Sequence, residues 1–341
     1  MISRFLAASF FVAVAVAGGG VACQSTGGKT SRDESASRPA GETKHPAPES
    51  LSVAELRGEL HDSDLTVRLA AVEELGRRAS SSEEAAQALV EALGDAAPLV
   101  RRFAAGGLAR VPSVSSPTLL ALSQLLRDSE VEPRESAART LTALAPRAPA
   151  DSIAELGSSL AAAAGDPQES VRARAVEALG ALGAPGARAV PAVKPALERA
   201  LADSSEEVRG AAAAALGRLG AGVPGTVALL TKALGDPVHD VRKQAVIALE
   251  KMEPHAAPAT KALARLLRGK EIYLRVFAAD ALTAIGPGAR AALPELKALV
   301  ARGWKDLENS PEVEARQLPE AVARAIQSIE AKKPTKGSRK R

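Results

Sequence analysis

The chain has 341 residues, 44 Lys and Arg against 40 Asp and Glu for a formal net charge of +4, one cysteine and 2% aromatic residues. So few aromatics exclude stacking platforms for single-stranded nucleic acid and aromatic cages for cations. A lone cysteine excludes an internal disulfide framework.

The chain begins Met1-Ile2-Ser3-Arg4, then an uncharged apolar run from Phe5 to Ala17, then Gly18-Gly19-Gly20-Val21-Ala22-Cys23. One basic residue, a short apolar stretch and small residues predict a secretory signal peptide over residues 1–22. The run is short of the roughly 20 apolar residues that span a bilayer. Cys23, directly after the small residues, resembles the lipobox cysteine of bacterial lipoproteins. Gly20 departs from that pattern, which carries an aliphatic residue there. The resemblance implies that Cys23 is lipidated and becomes the first mature residue. Gln24 rather than Asp after it implies sorting to the outer membrane. Residues 23–50 are rich in Ser, Gly, Pro and charge with almost no large apolar side chain, so they are expected to be a disordered tether. Gly27-Gly28-Lys29-Thr30 lacks the first glycine of a P-loop, which would fall on Cys23.

From residue 51 to residue 330 one pattern recurs. Its type copy is Asp166–Gly183, with Val171, Arg172, Ala175 and Leu179 following the Asp. Other copies read Asp62-Val67-Arg68-Ala71-Leu75, Asp95-Val100-Arg101-Ala104-Leu108 and Asp128-Pro133-Arg134-Ala137-Leu141. Then come Asp203-Val208-Arg209-Ala212-Leu216, Asp236-Val241-Arg242-Ala245-Leu249 and a copy with Gly269 for the Asp, followed by Leu274, Arg275, Ala278 and Leu282. Successive arginines lie 33, 33, 38, 37, 33 and 33 residues apart. A fixed period in this range is the signature of stacked helix pairs.

Offsets of four between Val, Ala and Leu place them on one face of a helix. Pro98 stands where a first helical residue should be, and Glu169, Glu206 and Asp240 fall in first turns, where the dipole favours anions. Gly76, Gly183, Gly220 and Gly286 read as helix stops. A shorter periodic segment precedes each copy: Ala85–Leu93, Leu119–Leu126, Ile153–Ala164, Val190–Leu201, Val227–Leu234 and Thr260–Leu267. Loops are expected around Arg147–Asp151 and Gly183–Val190, with Pro191 and Pro195 bending the helix that follows. Gly220, Gly222 and Gly225 spell G-x-G-x-x-G but follow a helix, not the strand a dinucleotide site needs.

An Arg in the first helical turn sits at the wrong end of the dipole for a cation. Its return implies a fixed partner, and the Asp of the same or the adjoining copy is the candidate. For Arg209 the candidates are Asp203 and Asp166. The expectation is a structural ladder, not a series of active sites.

The D-x-x-x-x-V-R-x-x-A-x-x-x-L-x-x-L-G pattern resembles the HEAT repeat, in the short bacterial form also found in phycobilin lyases. The resemblance covers about Leu51 to Ala331. It implies an all-α, right-handed α-solenoid of about eight helix-turn-helix repeats, an armadillo-type superhelix whose second helices line a concave face. It implies a binding surface rather than a particular activity. The degraded last copy, with Pro294–Val300 and Leu318–Ile329 as its helices and Leu318-Pro319 in place of Val-Arg, reads as a cap.

Residues 331–341 form a basic tail with Lys332, Lys333, Lys336, Arg339, Lys340 and Arg341. Removing these six charges and Arg4 from the total of +4 leaves −3, and residues 24–50 are neutral, so the solenoid is slightly acidic. That argues against nucleic acid as a partner. The tail could meet an anionic surface.

The histidines, His45, His61, His239 and His255, show no metal-ligand spacing, and no cofactor is expected. The alternative to a binding module is a HEAT-like enzyme of the bilin-lyase or hydroxylase type. Offsets eight, eleven and fifteen from the Asp are expected to face outward on the second helices. Phe103, Ile247 and Phe277 interrupt columns held mostly by small residues, and Arg139 and Arg174 flank them. These five are the expected contacts for a protein partner in the cell envelope.

Overall fold

In the computed structural model, which describes residues 46–304, 307 and 313–331, the Ala- and Leu-rich periodic segments are helices joined by short turns. The expected signal, residues 23–45 of the expected tether with Cys23 among them, and the basic segment 332–341 lie outside the described residues. The tether expectation is corrected at its end: Pro48–Ser50 form a short 3-10 turn, and Arg78 donates to the Pro48 and Glu49 carbonyls at 3.3 and 3.1 Å. Eight helix pairs follow one another. α1 (Val53–Glu59) packs on α2 (Leu65–Arg78), α3 (Glu83–Ala92) on α4 (Pro98–Leu108), and α5 (Ser116–Leu125) on α6 (Val131–Leu144). α7 (Ile153–Ala163) packs on α8 (Glu169–Ala181), which is followed by an extra helix, α9 (Gly183–Ala189). α10 (Val193–Ala200) then packs on α11 (Glu206–Leu219), and α12 (Thr226–Ala233) on α13 (His239–Lys251). α14 (Thr260–Leu266) packs on α15 (Ile272–Ile285), and α16 (Leu293–Arg302) on α17 (Val313–Glu330). There is no strand among the described residues.

The second helices form one continuous layer, in which α2, α4, α6, α8, α11, α13, α15 and α17 each contact the next. The repeated apolar positions fill the space behind that layer. Leu75, Leu108, Leu141, Leu179, Leu216, Leu249 and Leu282 are fully buried, as are Ala71, Ala104, Ala137, Ala175, Ala212, Ala245 and Ala278. Burying each Leu contributes roughly 1.5–3 kcal/mol. Along the layer, neighbouring second helices meet at small residues. A Cβ on Gly107 would come within 2.9 Å of the Gly76 Cα, one on Gly180 within 2.6 Å of the Ala215 Cα, and one on Gly217 within 2.7 Å of the Ala248 Cβ. Small side chains at this seam allow helices to stack at a fixed short period.

Several sequence expectations are corrected here. Gly76 does not stop its helix, because α2 continues to Arg78 and Gly76 serves the close approach of α4. Gly220 and Gly286 do end helices, at φ 67° and 63°, in the left-handed region that favours glycine. Gly183–Val190 is not a loop: it forms α9, which starts at the φ of 66° at Gly183. Pro191 and Pro195 do not bend a helix. The chain breaks at Val190, α10 begins at Val193, and Pro195 occupies its first turn, where a missing N–H costs nothing. The last helix starts at Val313, so Pro319 lies inside it.

Candidate functional site

The repeated Arg and Asp form a ladder along the starts of the second helices. The Arg101 guanidinium donates to both carboxylate oxygens of Asp128 at 2.7 Å, and its Nη1 donates to the carbonyls of Asp95 and Ala96 at 2.8 and 3.1 Å. The same fork joins Arg68 to Asp95, Arg134 to Asp166, Arg172 to Asp203 and Arg209 to Asp236. Each Asp also accepts from the backbone N–H two residues on, as Asp203 does from Ser205 at 2.8 Å. One carboxylate thus closes its own turn and receives the previous repeat's arginine. Asp62, at the head of the array, accepts from the Asp64 N–H at 2.7 Å.

The rung runs forward only. Asp203 gives Arg209 its backbone carbonyl, and the Asp203 carboxylate belongs to Arg172. Asp166 is not a partner of Arg209, since it pairs with Arg134. Where the seventh copy has Gly269, the longer Glu271 accepts from Arg242 at 2.6 Å. Arg275 is buried. The Arg172 hydrogen bond, opposed by burial, holds the Asp203 carboxyl below its usual range. Burial pushes Asp128 and Asp236 up, but their arginines and backbone N–H donors outweigh it and leave both lowered.

The solvent side of the second-helix layer is the candidate binding surface. Phe103 is 38% exposed, and the Arg102 guanidinium lies 4.9 Å from its ring centre. Leu99, one turn earlier on α4, is 39% exposed. Arg102 and Arg110 are exposed and enter no ion pair among the described residues. Arg139 is exposed and pairs with Glu135 at 3.0 Å, while Arg174 is half-buried and pairs with Glu177 at 3.0 Å. Ile247 is half-buried. Phe277 is half-buried and packs on the core, edge-on to Tyr273 at 6.4 Å with the Lys243 ammonium 5.9 Å from its ring centre. Ser136, which the helical period places in the outward column, is buried instead and donates to the Arg102 carbonyl at 2.9 Å.

Further along the layer α11 and α13 bound a groove of about 360 Å³. Gly210, Ala211 and Ala214 floor it, and Glu206, Glu207 and Asp240 stand at its rim. Among the described residues no group of three His, Cys, Asp or Glu is placed to hold a metal ion, and no helix is long and apolar enough to cross a membrane.

The model of the HEAT-repeat family matches residues 53–142, 157–250 and 193–265. The chain belongs to the HEAT-repeat family. No curated protein matches it in sequence. Among solved structures, the HEAT array is similar to an engineered protein at 25% identity and a TM-score of 0.52, covering 82% of this chain and 78% of that one. It is similar to YibA of Escherichia coli at 19% identity and 0.54, covering 82% and 94%. It is also similar to a Kap95p structure at 16% identity and 0.56, covering 81% of this chain but 42% of that one. The last two likenesses show the fold alone.

Of the expected contacts, the HEAT layer exposes Phe103 and Arg139, half-buries Arg174 and Ile247, and commits Phe277 to packing. Leu99 and the acidic rim stand at offsets three and four from the Asp, outside the three columns expected to face outward. Offset four carried the signal, with Leu99 in the second copy and Tyr273 in the seventh where Thr66, Glu132, Ser170, Glu207 and Asp240 stand in the others.

Proposed function

We propose that this HEAT array is a non-catalytic scaffold of the bacterial cell envelope that binds a protein partner on the solvent face of its second helices. The observation that carries the reading is the exposed Leu99–Phe103 pair, a turn apart on α4. Binding energy concentrates at a few aromatic and Arg positions, and Arg102 lies over the Phe103 ring. Leu99 therefore joins Phe103 and Ile247 as an anchor, with Arg139 and Arg174 as charged guides, while Phe277 is taken up by packing. A protein partner is in keeping with the fold: Kap95p, which shares it, binds RanGDP. The envelope location rests on the resemblance of residues 1–23 to a lipoprotein signal, with Cys23 as the lipid anchor. The test is recovery of envelope proteins by the wild type and by a Leu99→Ala, Phe103→Ala double variant. Loss of a stoichiometric partner from the variant supports the reading. Equal recovery of the same proteins refutes the assignment of this face.

A further inference from the structure

We propose that the groove between the first helices α5 and α7 is a second binding site, which takes an arginine side chain presented by a protein partner. The inference goes beyond the scaffold reading and does not depend on it, because the groove shares no residue with the face of the second helices.

The groove holds about 280 Å³. Leu119 and Leu156 are buried in its floor, and Leu120 along one side is 40% exposed. Ser123 lines the inner end and is only 3% exposed. A Ser or Thr inside a helix commonly returns its hydroxyl to the carbonyl four residues back. Ser158 does so to Ala154 at 2.8 Å, and Thr231 to Val227 at 2.6 Å. Ser123 makes no hydrogen bond among the described residues, and its hydroxyl is not sealed from the groove. Buried polar groups are normally paired, so this hydroxyl calls for a partner from outside the array.

The outer end of the groove is polar and held in place. The repeat spacing lengthens from 33 to 38 residues between Arg134 and Arg172, and the longer connection ahead of α7 delivers Asp151 and Ser152. Insertions in repeat arrays gather on a face that is often used for binding. Arg147 fixes this connection by donating to the Val111 and Pro112 carbonyls at 2.8 and 3.1 Å. The Ser116 hydroxyl donates to Asp151 Oδ1 at 3.1 Å, and the Ser152 hydroxyl donates to that of Ser116 at 2.8 Å. Asp151 Oδ2 is left without a donor among the described residues, and exposed Glu155, a turn further on, enters no ion pair there. An arginine answers all of these features. Its guanidinium fork meets Asp151 Oδ2 and Glu155 together. Its apolar stem lies over Leu119, Leu120 and Leu156. Its peptide group reaches Ser123. Ser116 and Ser123 are about 10 Å apart along α5, comparable to an extended arginine from peptide group to guanidinium. A purely apolar side chain would leave both polar ends unmatched.

The test is an NMR titration of the isotope-labelled full-length protein with the blocked pentapeptide Ala-Ala-Arg-Ala-Ala. Backbone amide signals of α5 and α7 around Ser123 and Glu155 are expected to shift and to saturate with a dissociation constant of about 1 mM. The same peptide with norleucine for arginine is expected to bind at least about five-fold more weakly. The double variant Asp151→Asn, Glu155→Gln is expected to weaken binding about five-fold. Ser123→Ala is expected to weaken it about three-fold. Glu207→Gln, on the second helices, is expected to leave it unchanged. Signals outside the groove that keep their positions establish that each variant is folded. Absence of shifts in α5 and α7 at about 10 mM peptide overturns the proposal. Equal binding of the norleucine peptide, or unchanged binding by both groove variants, overturns it as well. Shifts of the same size at the acidic rim of α11 and α13 also overturn it, since they mark a general attraction of acids for a cation.

Discussion

Arg209 reaches forward into the next repeat, where its guanidinium donates to Asp236 at 2.8 and 3.2 Å, while its Nη1 holds the Asp203 carbonyl at 2.9 Å. Both partners are mostly shielded, at 12% and 9% side-chain exposure. A cation at a helix start is unfavourable on its own, so the rung exists for what it joins. It fixes one repeat's turn to the next repeat's turn.

Arg209→Leu is therefore expected to destabilise the array by about 1–4 kcal/mol, because Asp236 is left shielded and unpaired. Arg110→Leu, at an exposed residue without an ion pair, is expected to change stability by less than about 0.5 kcal/mol. Urea unfolding of the two variants measures the contrast. Equal midpoints would show that the ladder has no structural weight.

The ladder also sets an acid limit. Asp203, Asp128 and Asp236 have carboxyls lowered below 3.8 in the folded state. A lowered folded pKa contributes stability that is complete above the unfolded value and is lost as pH falls through the folded one. Stability is therefore expected to be level from neutral pH to about pH 5 and to fall below pH 4. Glu250 works in the opposite sense: burial, with Asp280 nearby, raises its carboxyl. Its charged form costs stability at neutral pH, and that cost is relieved as pH falls through the raised value. Urea midpoints against pH are expected to show a shallower acid decline for Asp203→Asn and a higher neutral midpoint for Glu250→Gln.

The architecture was legible because the same residues return at one period. Val, Ala and Leu at offsets of four specify a helix in every copy, and a register error in one copy is corrected by the others. The ladder residues were legible for the same reason, but its direction was not. For Arg209 the sequence suggested Asp203 or Asp166, both earlier in the chain, whereas the carboxylate that pairs with it is Asp236 of the next repeat, brought to it by the stacking of α11 on α13. Gly76 misled because glycine marks both helix ends and close helix contacts, and the partner Gly107 is 31 residues away. The face was harder still. Helical period placed Phe277 and Ser136 in the outward column, yet contact with the neighbouring helix buries Ser136 and half-buries Phe277.

The glycine seam yields a pair of opposite expectations. Ala is favoured over Gly inside a helix by about 1 kcal/mol. Gly210→Ala in α11 meets nothing within 4 Å and is expected to stabilise by up to about that amount. Gly180→Ala would press its Cβ to 2.6 Å from the Ala215 backbone, which cannot move aside as a side-chain tip can. It is expected to destabilise by about 1–3 kcal/mol despite the better propensity. Thermal melts that shift in the same direction for both variants would refute the seam.

The envelope proposal has its own test at Cys23. A lipid chain supplies membrane affinity that a polar tether lacks. Cys23→Ala is expected to move the protein from the membrane fraction to the soluble fraction. An unchanged distribution, or a wild type that is already soluble, removes the anchor from the proposal.

Phe103 and Phe277 stand at the same repeat offset and are expected to answer truncation differently. Phe103 is exposed, with Arg102 over its ring and an open neighbour at Gly106. Removing it uncovers no core, so Phe103→Ala is expected to leave stability within about 0.5 kcal/mol of wild type. Its effect belongs to binding, where losing an aromatic anchor shows in faster dissociation. Phe277 fills space between Tyr273 and the core, and its loss leaves a gap there. Phe277→Ala is expected to destabilise by about 1–3 kcal/mol, short of a fully buried Phe because the ring is partly wet. Urea unfolding and dissociation rates of both variants separate the two roles. If Phe103→Ala unfolds as early as Phe277→Ala, Phe103 is a packing residue and the exposed pair with Leu99 is not a binding surface.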